Sequence, residues 1–362
     1  MFFIVIVISL LFLVNSILFI ITSGVFVNYS YALNCKTEDI ILQNTKVEII
    51  SNPSIKKYTL IDLNRDFYIS TPSCIKLNLP IILLFHGGGE VPWNEEGTGI
   101  MNYTGLWKTK SICIAFQGQS SNNGLSWENS FPWLKNNPKN DINFVQTVLQ
   151  RLKNSPFSKY CNFNRIYASG KSDGAGFCFY LLEYDFIDVK KIAICSSANF
   201  TLDSVTNTRF LSNKILSVPI LAIHGTGDTV MPYNGQHFLN KDATEKAEYW
   251  KKIDPTLENT YTFKILYLWN YIGNLFDNNA NPVITYISNN SNLYNWGSVK
   301  LITATNQNHC WMGHTKSGPD SDEFSNKDFD ATTLICKFFD DIKLINYSNS
   351  VKTPNIMFQS IT

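Results

Sequence analysis

The run Pro80–Phe85, Pro-Ile-Ile-Leu-Leu-Phe, carries no polar side chain. Related runs, some opening on a polar residue, recur at Ser111–Phe116, Arg165–Ala168, Lys191–Cys195, Val218–Ile223 and Ser298–Ile302. A strand with one wet face alternates polar and apolar residues, whereas a short continuous apolar run fits a strand covered on both faces. Segments of helical period lie between the runs. Asp141–Lys153 places Phe144, Val145, Val148, Leu149 and Leu152 on one stripe, with Asn140 positioned to cap it. Phe329–Ile342 does the same with Leu334, Ile335, Phe338, Phe339 and Ile342. Buried strands alternating with helices predict an α/β fold, a mostly parallel central sheet with helices on both faces. Lys46–Ser51, Lys57–Leu63 and Asp66–Ser70 are expected as short strands ahead of it.

No internal repeat and no Pro- or Gly-rich linker divides the chain, so one domain is expected over residues 33–345, with a tail at 346–362. Residues 234–297 are irregular for this pattern, with an expected helix at Ala243–Lys252 and an Asn-rich stretch at Asn278–Asn295. They are expected to form an insertion or lid over the end of the sheet where the loops gather. Thirty Lys and Arg against twenty-nine Asp and Glu leave a net charge of +1, and no dense basic run is present. That balance argues against a nucleic-acid partner, because binding phosphates needs clustered cations.

From Phe2 to Val27 there is no charged residue. Residues 1–32 are expected to be a secretory signal, with Ser30-Tyr31-Ala32 supplying the small residues of a cleavage site. A retained membrane anchor is the alternative, and in that case this segment is the chain's one contact with a membrane. Either way the remainder is expected to be secreted or to lie in the secretory lumen. Asn-X-Ser/Thr sequons at Asn28, Asn102, Asn199, Asn289 and Asn346 agree, and glycosylation is expected at the last four. Eight cysteines fit an oxidising compartment. Cys113 and Cys178 are expected as buried thiols, leaving Cys35, Cys74, Cys161, Cys195, Cys310 and Cys336 to supply any disulfides. Cys161 precedes one strand and Cys195 ends another, so these two are not expected to meet. No Cys-X-X-Cys pair or Cys/His cluster has metal-ligand spacing, and neither a metal nor an organic cofactor is expected.

Four short motifs carry chemistry. Gly170-Lys171-Ser172-Asp173-Gly174 follows the run Arg165–Ala168 and precedes a helical pattern, the setting in which Gly-X-Ser-X-Gly makes a nucleophile elbow. Phe85-His86-Gly87-Gly88-Gly89 ends the first apolar run, where glycines let backbone N–H groups approach a carbonyl oxygen. Gly87 or Gly88, with Asp173, are the expected oxyanion donors. His224-Gly225-Thr226-Gly227-Asp228 follows Val218–Ile223 and offers a carboxylate that can hold one imidazole tautomer. Asn308-His309-Cys310-Trp311 follows the last apolar strand. The chain order Ser172, Asp228, His309 is the order that an α/β-hydrolase triad follows. His314, beyond Gly313 in a polar stretch, is expected at the surface or rim rather than as the base. Trp127, Trp133 and Trp311 are candidates to line a pocket for an aromatic or sugar-like group, and core packing is the competing role.

At these residues the chain resembles the polyhydroxybutyrate-depolymerase-like and feruloyl-esterase-like branch of the α/β-hydrolases. The stretches concerned are Leu84–Gly89, Asp141–Val145, Arg165–Gly174, Val218–Tyr233 and His309–Trp311. The resemblance implies the α/β-hydrolase fold, with Ser172 as nucleophile, Asp228 as acid and His309 as base. Two departures stand out: Gly174 is followed by Ala175, and Asn308–Gly313 lacks the glycine and proline usual around that histidine. The implied activity is two-step hydrolysis of a carboxylic ester, with a polysaccharide-linked, polyester or small acyl ester as substrate. A serine peptidase of the same fold and a non-catalytic glycan- or surface-binding protein are the alternatives.

Overall fold

The computed structural model describes residues 40–121, 124–127, 140–183, 187–197, 217–234, 236–237, 262–263, 265–277, 281–288, 290–314, 329–340 and 342. All of them fall within the compact unit Glu38–Thr362. The segment expected to be a signal or anchor and the expected helix Ala243–Lys252 lie outside the described residues, as do Trp133, Asn199, Asn289 and Asn346. Among the described residues no helix is long and apolar enough to cross a membrane.

Strands β1 (Thr45–Ile49), β2 (Ile55–Leu60), β3 (Arg65–Ser70) and β4 (Leu79–Phe85) lead into helix α1 (Ile100–Thr104). There follow β5 (Ile112–Phe116), the small hairpin β6 (Gln119–Ser121) and β7 (Gly124–Ser126), and α2 (Asn140–Asn154). The middle of the chain supplies β8 (Cys161–Lys171), α3 (Asp173–Glu183), β9 (Val189–Cys195), β10 (Ile220–Gly225), β11 (Gln236–His237) and β12 (Thr262–Phe263). The last part supplies α4 (Ile265–Asp277), β13 (Val283–Ser288), β14 (Ser291–Asn295), β15 (Val299–Ala304) and α5 (Ala331–Phe338). Eleven strands form one sheet in the order β1-β2-β3-β5-β4-β8-β9-β10-β15-β14-β13. The six strands from β5 to β15 run parallel, and the flanking strands are antiparallel. From β2 to β15 this is the strand order of an α/β-hydrolase, with β3 antiparallel and β4 and β5 exchanged relative to chain order.

The apolar runs are these parallel strands, and alternate residues in each divide between two cores. Ile81, Leu83, Phe85, Ile112, Ile114, Phe116, Ile192 and Ile194 face one side with the apolar stripes of α2 and α3 and with Trp269 of α4. Ile82, Leu84, Cys113, Ala115, Ala193, Cys195, Leu221 and Ile223 face the other, with α1 and with Leu334, Ile335 and Phe338 of α5. Each fully buried Val, Leu or Phe in these layers contributes about 1.5–3 kcal/mol. Beneath the layer of α2, Asp141 accepts a 2.6 Å bond from Arg65 of β3, and the guanidinium also lies 4.3 Å from the Phe144 ring centre. Asn140 is the first residue of α2 rather than its cap.

Part of the segment 234–297, expected as an insertion or lid, is described. β14 and β13 continue the main sheet beyond β15, and Trp269 of α4 joins the core. Gly273 of α4 lies so close to the Trp296 ring that a side chain there would collide with it. The Asn-rich sequence concealed a hairpin because its outer strand, β13, is mostly exposed and shows no buried face. Cys113 and Cys178 are buried thiols as expected, and the cysteines left to supply disulfides are narrowed. Cys113, Cys161, Cys178, Cys195, Cys310 and Cys336 are all free thiols, and burial pushes that of Cys310 up to about 11. Cys74 is disulfide-bonded.

Candidate active site

The parallel strands end at one edge of the sheet, and every chemical motif in the sequence follows one of those ends. His86–Gly89 follows β4, Ser172 follows β8, Asp228 lies beyond β10 and His309 beyond β15. Between β4 and β8 the chain's progress across the sheet reverses, and such a switch point opens a crevice outside the carboxyl ends of the strands.

Ser172 occupies a turn one residue long, between the end of β8 and the start of α3. Its φ is 52°, in the left-handed region that costs a non-glycine residue about 1–3 kcal/mol. Bonds on both sides hold that strained conformation. The Ser172 N–H donates to the Cys195 carbonyl at 3.0 Å, and its own carbonyl accepts from Ala175 and Gly176 at 3.1 and 3.2 Å. The glycines of the motif are required by close approach. A Cβ on Gly170 would meet the backbone of Gly174, and one on Gly174 would meet the carbonyl oxygens of Phe85 and His86.

Asp228 and His309 are brought together. His309 Nδ1 lies 2.8 Å from Asp228 Oδ2, and both side chains are buried. A carboxylate accepts and does not donate, which places the proton on Nδ1 and leaves Nε2 as a lone-pair base. The other oxygen, Oδ1, accepts from the N–H groups of Val230 and Met231 at 2.9 and 2.7 Å. Asn308 joins the two loops, since its Oδ1 accepts from the Thr229 and His309 amides at 3.1 and 2.8 Å. Ser196, at the end of β9, donates through its hydroxyl to the Cys310 carbonyl at 3.0 Å. Because the neighbouring Cys195 holds the Ser172 amide, the end of β9 anchors both the elbow and the histidine loop.

His224 is a participant that its sequence context did not reveal. Its Nε2 donates to the Met231 carbonyl at 2.8 Å and lies 3.6 Å from Asp228 Oδ2, so the carboxylate sits between two imidazoles. Burial lowers the His224 pKa, which keeps this second ring neutral.

The expected oxyanion donors separate into used and free groups. The Gly87 N–H donates to Glu90 Oε2 at 2.9 Å, the Gly89 N–H to the Leu125 carbonyl at 2.7 Å and the Glu90 N–H to the Gly87 carbonyl at 3.1 Å. Gly87 is therefore not an available donor, and Gly88 is the amide of that turn with no partner among the described residues. A Cβ built on Gly88 would lie 3.8 Å from the Asp173 Cβ, which sets the Gly88 backbone beside the first turn of α3. The amide of Asp173 opens that helix, where backbone N–H groups have no intrahelical acceptor.

Of the two roles open to these tryptophans, the two indoles that are described take core positions. Trp127 is fully buried, donates from Nε1 to the His86 carbonyl at 2.8 Å and from its amide to Asp173 Oδ2 at 3.1 Å. Its ring stacks on Phe177 of α3 at 4.8 Å. It therefore clamps the glycine loop to the elbow. Trp311 is also fully buried, with its indole N–H on Thr332 Oγ1 at 3.0 Å. His314, expected at the surface or rim, is half-buried, with Nε2 3.3 Å from Asp330 Oδ1 at the cap of α5. Asn102 lies within α1 rather than in a loop. Its side-chain N–H donates to the Asn94 carbonyl at 3.1 Å, and Thr104, the sequon hydroxyl, is buried.

Burial pushes the Asp173 carboxyl up to about 7, and the charges of Asp141 and Glu90 add to this against the bond from Trp127. Its Oδ1 is buried with no partner among the described residues. Among the described residues, no group of three or more His, Cys, Asp or Glu side chains is placed to hold a metal. A cavity of about 540 Å³, lined by Gln146, Arg151, Phe163, Ile187 and Asp188 among others, lies away from this edge, toward the starts of β8 and β9.

No protein-family signature and no curated protein matches the chain. Solved structures that are similar include the acetyl xylan esterase from Aspergillus awamori, at 15% identity and a TM-score of 0.41, covering 73% of this chain and 93% of that one. Another is Thermogutta terrifontis esterase 2 phosphoramylated by tabun, at 10% identity and a TM-score of 0.45, covering 83% of this chain and 96% of that one. At such scores neither likeness carries an argument, and the fold rests on the chain's own strand order and register.

Proposed function

We propose that this chain is a serine carboxylic-ester hydrolase with Ser172 as nucleophile, His309 as general base and Asp228 as the acid that orients it. The observation that carries the reading is the pairing of His309 Nδ1 with Asp228 Oδ2 at 2.8 Å, at the edge of the sheet where Ser172 stands on a strained turn. In the proposed reaction, His309 Nε2 takes the proton of the Ser172 hydroxyl as Oγ attacks the ester carbonyl. The Asp228 carboxylate stabilises the imidazolium that forms. The Gly88 and Asp173 amides receive the oxyanion of the tetrahedral intermediate. His309 then returns the proton to the leaving alcohol, and water, deprotonated by the same imidazole, releases the acid from the acyl-serine.

The branch of the fold is part of the proposal. Its support is the motif resemblance to polyhydroxybutyrate-depolymerase-like and feruloyl-esterase-like enzymes. A secretory location is likewise proposed, from the uncharged segment Phe2–Val27 and the sequons. With Trp127 and Trp311 in the core, an aromatic wall in the substrate pocket has no support from those two residues.

Labelling with a fluorophosphonate probe, followed by peptide mapping, tests the activated serine. A single adduct on Ser172 is expected. Unlabelled, folded protein would favour a binding module, and faster turnover of amides than of esters would favour a peptidase.

A further inference from the structure

We propose that Glu90 is a positioning residue for the oxyanion loop, fastening it to the nucleophile elbow through Lys171. The inference rests on the serine-hydrolase reading of the site and assigns a part of it that no motif contains. One carboxylate makes three contacts with three separate elements. Oε1 pairs with Lys171 Nζ at 2.5 Å, and Oε2 accepts from the Gly87 N–H at 2.9 Å and from the Tyr103 hydroxyl at 2.6 Å. Lys171 is the last residue of β8, directly before Ser172, and its side chain is 1% exposed. Tyr103 belongs to α1, and its ring centre lies 5.6 Å from Lys171 Nζ.

The consequence lies in where the backbone amides of the glycine turn point. The Gly87 amide is drawn to the Glu90 carboxylate, and the Gly89 and Glu90 amides bond to the Leu125 and Gly87 carbonyls. Among the described residues the turn is thereby closed with the Gly88 amide left over, beside Asp173. The same carboxylate holds the ammonium at the base of the elbow. Movement of Glu90 would shift the Gly88 donor relative to Ser172, and a small misplacement of preorganised groups costs a large factor in rate. Burial raises the Glu90 pKa, but Lys171, Tyr103 and the Gly87 amide outweigh it and hold the carboxyl below its ordinary range, so it stays ionised. Glycine at position 87 serves the same end. A Cβ there would lie 3.1–3.2 Å from the Glu90 carboxyl atoms, tighter than ordinary contact.

Two variants test this. Glu90→Gln removes the charge, and the double variant Glu90→Leu/Lys171→Met removes the whole tether without stranding a buried ammonium, with circular dichroism and thermal unfolding to show that each is folded. Each is assayed for kcat and KM on an activated ester and for inhibition by a trifluoromethyl ketone, whose hemiketal carries an oxyanion. We expect kcat to fall about tenfold to hundredfold, with KM within about threefold of wild type. Affinity for the ketone should fall in step with kcat/KM, a change that loss of general packing would not produce. A folded double variant with wild-type kcat overturns the proposal. So does a loss of kcat with unchanged ketone affinity. If wild type takes no fluorophosphonate on Ser172 and does not bind the ketone, the serine-hydrolase reading itself falls and the proposal falls with it.

Discussion

His309 and Asp228, 81 residues apart in the chain, meet at 2.8 Å above the carboxyl edge of the sheet. A separate imidazole–carboxylate pair, His314 with Asp330 at 3.3 Å, lies nearby in sequence but serves a different purpose, because Asp330 caps α5 through the Thr332 amide. The two pairs predict opposite phenotypes. His309→Ala should lower kcat on an activated ester by several orders of magnitude while leaving the melting temperature within a few degrees. His314→Ala should keep most of its turnover and lose about 0.5–1.5 kcal/mol of stability, the usual worth of one hydrogen bond. Steady-state kinetics and thermal unfolding of both variants make the comparison, and the reverse pattern would move the base to His314.

Trp127 should behave as a structural clamp. Trp127→Ala removes a fully buried ring packed on Phe85 and Phe177 and should cost about 3–5 kcal/mol in urea unfolding. Trp127→Phe keeps an aromatic ring and loses the Nε1 bond to the His86 carbonyl, a smaller loss of about 1 kcal/mol. Wild-type stability in the alanine variant would mean that the ring is exposed and free to meet substrate.

Asp173 makes stability depend on pH in a direction unusual for a carboxyl. Its folded pKa is raised from 3.8 to about 7, so the folded chain holds a proton between those values that the unfolded chain has released. Stability from this group is therefore complete below about pH 4, declines as pH rises, and is lost above about pH 7. Asp173→Asn cannot ionise and should match wild type near pH 4, then gain on it up to a plateau above neutrality. Chemical unfolding of both proteins at several pH values measures the difference. A difference that does not change with pH would contradict the raised pKa.

What the sequence made legible was local in origin. The buried strands could be read from Pro80–Phe85 and its counterparts because burial on both faces demands an uninterrupted apolar run. Ser172 could be read because its strained turn requires glycines at fixed offsets. Glu90 could not. Its bond to Lys171 spans 81 positions, and a single Glu after a glycine turn resembles any solvated side chain. The two roles open to Trp127 could not be told apart for a related reason, since only the three-dimensional return of the β6–β7 hairpin carries it under the His86 loop. Among strands, β8 runs from Cys161 to Lys171 where the apolar pattern marked only Arg165–Ala168, because its first residues, Cys161–Arg165, are not fully buried. β13 was missed for the same physical cause at the sheet's far edge, where Val283, Ile284 and Tyr286 face outward.

The most direct test of the proposed chemistry is the rate of ester hydrolysis by Ser172→Ala beside wild type, each shown to be folded by circular dichroism. Loss of a triad nucleophile removes both the acyl-enzyme step and the base's partner, and typically lowers kcat by about 10⁶-fold. A fall of about 10⁶-fold in kcat, leaving only the residual rate that the oxyanion donors and substrate binding supply, is the expected result. Activity within about tenfold of wild type would contradict the assignment of Ser172 and the acyl-serine mechanism built on it.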